Sequence, residues 1–142
     1  MNILILAILL ISISFAVLIF QQLFFGLKKE HYEKDLEIIH NELCCYHSGR
    51  MIAYSLPFIR HTFYDNFVVI NGKGENERIE YKYIVKAQIS PIPLFSFGLL
   101  KCNIEYDYLD IANKERRSVI LSTRYPEKIS EILKNKAVAT NI

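Results

Sequence analysis

Three hydrophobic rhythms follow one another along this chain. From Ile3 to Phe20 the sequence is almost continuously apolar, interrupted only by Ser12 and Ser14, and no charged side chain occurs before Lys28. As a helix, Ile3 to Leu27 would be about 37 Å long, enough to cross a hydrocarbon core of roughly 30 Å with some tilt. From Lys28 to Tyr46 the apolar positions Tyr32, Leu36, Ile39, Leu43 and Tyr46 recur at spacings of four and three, which predicts an amphipathic helix. After Ser48-Gly49 the period falls to two.

That alternation predicts a run of short strands. Arg50–Ser55 is expected as a strand that Leu56-Pro57 interrupts. Arg60–Tyr64 and Phe67–Asn71 follow around Asp65-Asn66, and Asn71-Gly72 is a strong hairpin signal because both residues accept positive φ. Arg78–Ser90 supplies one or two strands, and Pro91 and Pro93 stop them. Lys101–Asp110 alternates cleanly, with Ile104, Tyr106 and Tyr108 on one face and Glu105 and Asp107 on the other. Arg117–Ser122 is the next strand. Thr123–Asn135 reads as a closing helix with Pro126 in its first turn and Ile129, Ile132 and Leu133 on one face. The last residues, Ala137–Ile142, are expected to fray.

Charge changes the picture in two ways. The 17 basic and 15 acidic residues are interspersed, which disfavours a nucleic-acid binder. Lys28, Lys29 and Lys34 follow the apolar run and nothing basic precedes it, so the positive-inside rule places the N-terminus outside and the C-terminal domain in the cytoplasm. The long run, the absent basic n-region and the bulky residues after it favour a retained single-pass anchor over a cleaved signal peptide. The expected organisation is an anchor over 1–27, a juxtamembrane amphipathic helix over 28–47 and a domain over 48–142.

The strand pattern resembles the bacterial pleckstrin-homology-like domains. The matching stretches are FIRHTFYDNFVVINGKGENERIEYKYIVKAQIS, with Ile79, Tyr81 and Ile84 opening a strand, and SVILSTRYPEKISEILK, where an apolar strand runs into a helix. The resemblance covers roughly Gly49 to Lys136. It implies an α+β, mostly β fold, a small barrel closed by the C-terminal amphipathic helix. It also implies a non-enzymatic interaction or scaffold module that docks a protein partner at the membrane. Two alternatives stand beside it: a sensor of anionic lipid headgroups, and a small structural subunit of a larger membrane complex.

Candidate chemistry is sparse. Arg50, Arg60 and His61 lie near the first strand junction, where lipid-binding members of that family place basic residues. The connection Ser90–Leu100 is almost without polarity, so Ile92, Leu94, Phe95 and Phe97 either cap the barrel or form a docking patch. Tyr32, Leu36, Ile39 and Leu43 either pack on the domain or make a short homodimeric seam. His40, Cys44, Cys45 and His47 lack the paired spacing of a structural zinc site, so neither a metal nor another cofactor is expected. Glu105 and Asp107 read as a solvated face, and no catalytic motif stands out.

Overall fold

The computed structural model describes residues 3–27, 29–49, 51, 54–72, 75–91, 102–136, 138 and 140–141. The apolar run forms a single helix, α1 (Ile3–Leu27), with exposed side chains along Ile3–Leu18 and at Phe20, and it touches the sheet domain at the strands β2 and β3 defined below. Its length and composition allow it to cross a membrane, and its place near the N-terminus also fits a signal sequence.

Seven antiparallel strands follow: β1 (His40–Ser48), β2 (Tyr54–Phe63), β3 (Phe67–Gly72), β4 (Glu75–Glu80), β5 (Ile84–Pro91), β6 (Cys102–Asp110) and β7 (Glu115–Thr123). Helix α2 (Pro126–Asn135) comes next, and a two-residue strand β8 (Thr140–Asn141) pairs parallel to β5. The order across the sheet is β4-β3-β2-β1-β7-β6-β5-β8, so consecutive strands are neighbours except where β1 meets β7. Among the described residues the two ends do not pair, and the sheet is not a closed barrel. It is nonetheless folded over. Glu77 on β4 accepts hydrogen bonds from Tyr46 on β1, at 3.2 Å, and from Tyr108 on β6.

One face of each of the seven antiparallel strands feeds the main core. Cys44 and Tyr46 of β1, Ile59 and Phe63 of β2, Val68 and Ile70 of β3, Ile104, Tyr106 and Tyr108 of β6, and Val119 and Leu121 of β7 are all buried there. Helix α2 adds Ile129, Ile132 and Leu133, the apolar face its sequence predicts. β3 and β4 form a hairpin, but Asn71 and Gly72 are paired with Asn76 and Glu75 in the ladder and neither has a positive φ. The turn expected of them falls instead on residues 73–74, outside the described residues. Gly72 also allows close approach, since a Cβ there would run into the Ile59 side chain.

Several expectations fail. The helix over 28–47 does not form. Residues 29–39 make a strap with a 3₁₀ turn at His31–Glu33, and His40–Ser48 is a central strand. A domain boundary at residue 48 would therefore remove β1, which lies between β2 and β7. Tyr32, Leu36, Ile39 and Leu43 share no helix, so the seam that needed one is absent; the first three are exposed and Leu43 is half-buried on β1. β2 runs through Pro57, which falls between the paired positions Tyr54 and Ile59 where the β1–β2 register shifts, and opposite no residue of β3. The chain end is not wholly frayed: Thr140 and Asn141 face Ala87 and Gln88, and Val138 is buried.

Candidate functional site

Successive residues of a strand point to opposite faces, and β2 carries polar side chains on both. Arg60 lies on the outer face, 2% exposed, with its guanidinium gripping Glu33 of the strap through two bonds of 2.7 Å. Tyr64 donates its hydroxyl to the same carboxylate at 2.7 Å. Glu33 also accepts the Glu30 amide, at 2.7 Å. Burial alone would raise the Glu33 carboxyl above its usual range; the Arg60, Glu30 and Tyr64 donors outweigh it and hold the group below that range. Burial, then the bond to Glu33, pushes the Tyr64 phenol up to about 12.

His61 is the inward neighbour and is 0% exposed. Its Nδ1 lies 3.1 Å from Glu42, directly across on β1, and its Nε2 lies 3.0 Å from the Tyr106 hydroxyl. The second Glu42 oxygen accepts the Thr123 hydroxyl and the Arg124 amide, each at 3.1 Å. Burial works to raise the Glu42 carboxyl, but the bonds from His61, the Arg124 amide and Thr123 leave it lowered. A carboxylate–imidazole–phenol chain can hold a proton, but this one is sealed from solvent. Its geometry serves to join β1, β2, β6 and β7 across the core.

The strap makes a second layer over β2 and β3. Tyr64, Phe67 and Val69 form a small cluster with Ile38 against it, and the Ile39 amide bonds the Phe63 carbonyl at 2.9 Å. Arg78 of β4 lays its guanidinium 4.2 Å from the Phe67 ring centroid and 5.4 Å from that of Tyr32. Tyr32 in turn donates to Asn76 at 2.8 Å.

Beside this stack lies a groove of about 580 Å³ between β4, the end of β6 and the strap, lined among others by Tyr32, Asn76, Arg78, Tyr83, Leu109 and Asp110. Leu109, near the end of β6, and Ile111, in the turn after it, are 46% and 54% exposed and both line the groove. The turn itself is fixed by Asp110, whose carboxylate accepts the Ala112 and Asn113 amides. Sequence reasoning missed this groove. Its signal was a pair of apolar residues, Leu109 and Ile111, beside a turn otherwise polar.

The residues expected to bind lipid or partner are not brought together. Arg60 and His61 are inside the fold, paired with Glu33 and Glu42 on opposite faces of one strand, so neither can reach a headgroup. Arg50, Ile92, Leu94, Phe95 and Phe97 lie outside the described residues. Cys44 and Cys45 are buried cysteines whose thiol pKa values are raised chiefly by burial, and no metal-holding cluster of His, Cys, Asp or Glu occurs among the described residues. Glu105 and Asp107 are half-buried on the outer face of β6, bonded to Ser118 and Arg116. No family model and no curated protein matches the chain.

Proposed function

We propose that this chain is a single-pass, membrane-anchored interaction module of pleckstrin-homology-like architecture, non-enzymatic, which docks a protein partner at the cytoplasmic face. Support for the architecture comes from the strand order, a seven-strand antiparallel meander whose first and last strands meet, followed by an amphipathic helix. The observation that carries the functional reading is the strap. Glu33–Arg60 fastens the residues after α1 to the sheet, so the groove beside Tyr32 is held close to the point where the chain leaves the bilayer. An anchor followed by a loose linker would leave the domain free to wander. Two exposed apolar side chains, Leu109 and Ile111, lining a groove suit protein docking.

The test is a photo-crosslinking residue placed at Leu109 in the full-length chain in native membranes. The reading expects one or a few defined protein adducts, lost in Ile111→Asp while the melting temperature stays within a degree or so, since surface changes usually cost under about 0.5 kcal/mol. Adducts to lipid alone, or adducts indifferent to Ile111→Asp, would contradict it. Orientation is checked by Ala112→Cys on the exposed turn. An impermeant maleimide should label it only after lysis, and labelling of intact cells would reverse the topology.

A further inference from the structure

The strap hides Glu33 and Ile38 against the sheet, yet it leaves Tyr32, Leu36 and Ile39 39%, 41% and 40% exposed. Single apolar side chains scattered over a surface need no explanation. These three fall within one short segment, and that segment directly follows the apolar helix.

The strap is held beside the end of that helix. Tyr32 is five residues beyond Leu27, the last residue of α1, so at about 3.3–3.6 Å per residue it lies at most about 18 Å away. Turns shorten the path further. The Glu33 amide bonds the Glu30 carbonyl at 3.0 Å, and the Leu36 amide bonds the Glu33 carbonyl at 3.4 Å. α1 also touches the sheet at β2 and β3, the two strands the strap covers, so helix and strap share one side of the domain.

The chemistry of the segment suits that place. Tyrosine is enriched at membrane–water interfaces, and Leu and Ile favour the boundary between headgroups and acyl chains. Lys29 and Lys34 are exposed, but Glu30, Asp35 and Glu37 outnumber them along the strap. Net charge therefore gives no attraction to anionic headgroups, and apolar burial is left as the driving force.

We propose that the strap lies on the bilayer, with Tyr32, Leu36 and Ile39 entering the boundary between headgroups and acyl chains in zwitterionic as well as anionic membranes. This fixes the face that the domain turns to the membrane and sets the groove lined by Tyr32 at the membrane surface. It rests on the reading of α1 as a retained span.

The chain contains no tryptophan, so single tryptophans report their own surroundings. Full-length Leu36→Trp, Ile39→Trp, Val85→Trp and Phe15→Trp are placed in phosphatidylcholine nanodiscs, unlabelled or brominated either near the headgroups or deep in the acyl chains. Val85 is 43% exposed on β5, in the half of the sheet the strap leaves uncovered, and so controls for tryptophan's own affinity for interfaces. Shallow bromine should quench the emission of Leu36→Trp and Ile39→Trp, deep bromine should quench Phe15→Trp in the middle of α1, and Val85→Trp should keep its emission in both. If the two strap tryptophans stay as bright as Val85→Trp while Phe15→Trp is quenched, the strap stands clear of the membrane and the proposal is overturned with the anchor intact. An unquenched Phe15→Trp would overturn the anchor and the proposal together. Strap quenching that appears only when phosphatidylglycerol is added would overturn it too, because charge would then be the cause.

Discussion

The two sides of the sheet bury their strands in different ways. β6 keeps one face in the core, while the other, with Asn103, Glu105 and Asp107, is half-exposed. Every residue of β3 is buried, and so is each described side chain of β2 from Ile59 onward. The difference is the strap, which covers the outer face of β2 and β3 but not that of β6. A strand covered on both faces has no solvated side to advertise, and the continuous apolar run Phe67–Ile70 reflects that. Covering a polar outer face carries a cost, because Arg60 and Glu33 must leave water together. The result is a domain in which the residues just after α1 are structural.

The largest effect should come from moving the domain boundary. A chain beginning at Ser48 lacks the central strand β1 as well as Glu33 and Glu42, and should show no cooperative unfolding by circular dichroism. One beginning at Lys29 keeps them all and should melt cooperatively. If the shorter piece melts just as sharply, the strap and β1 are dispensable and the comparison between the two sides collapses.

Next comes the buried pair. Arg60→Ala strands the Glu33 carboxylate without its main partner and should cost about 3–5 kcal/mol. Denaturant midpoints of the full chain in micelles measure this, with Glu33→Gln also destabilising, because it leaves the buried Arg60 guanidinium without its counter-charge, but milder because the amide oxygen still accepts from Arg60. Acid should erode the same region. The folded state holds Glu33 and Glu42 below their ordinary carboxyl pKa, so it binds fewer protons than the unfolded chain in that range. Their contribution is therefore complete above the usual value of about 4.3 and is lost as pH falls through the lowered folded values. Melting temperatures taken from about pH 6 down to pH 3 should fall, and Glu33→Gln should flatten the slope. A steeper slope in that variant would mean the sign is wrong.

The smallest effect belongs to the solvated side. Arg116 pairs with Asp107 across the outer face of β6 and β7 at 3.2 Å and is largely exposed. Arg116→Ala should change stability by less than about 1 kcal/mol. A loss comparable to that of Arg60→Ala would show that the two sides are not different after all.

What the sequence revealed follows the same division. β6, β7 and α2 were legible because each has one wet face and one dry face, so Ile104, Tyr106 and Tyr108, and later Ile129, Ile132 and Leu133, stand out as periodic. The β3–β4 hairpin was anticipated, but one step too early: Asn71 and Gly72 belong to the ladder rather than to the turn. β1 was not. Its inward positions are His40, Glu42, Cys44 and Tyr46, and two polar residues facing the core hide the alternation. The three-and-four spacing from Tyr32 to Tyr46 then imitates a helix, although it spans a strap and a strand that share no axis. Arg60 and His61 misled for a related reason. Charged residues on a strand suggest surface, and only the three-dimensional arrangement supplies Glu33 and Glu42 as their partners. The groove was hidden because its walls come from β4, β6 and the strap, which are distant in sequence.

Hydrogen exchange at the Ile39 amide tests the central point most directly. That N–H bonds the Phe63 carbonyl where the strap joins β2. If the strap is an integral layer of the domain, Ile39 should exchange within about tenfold of the β3 amides and lose protection together with them as denaturant is added. Exchange at nearly the free rate, with β3 still protected, would mean the strap lifts away on its own and that the residues after α1 are only a tether.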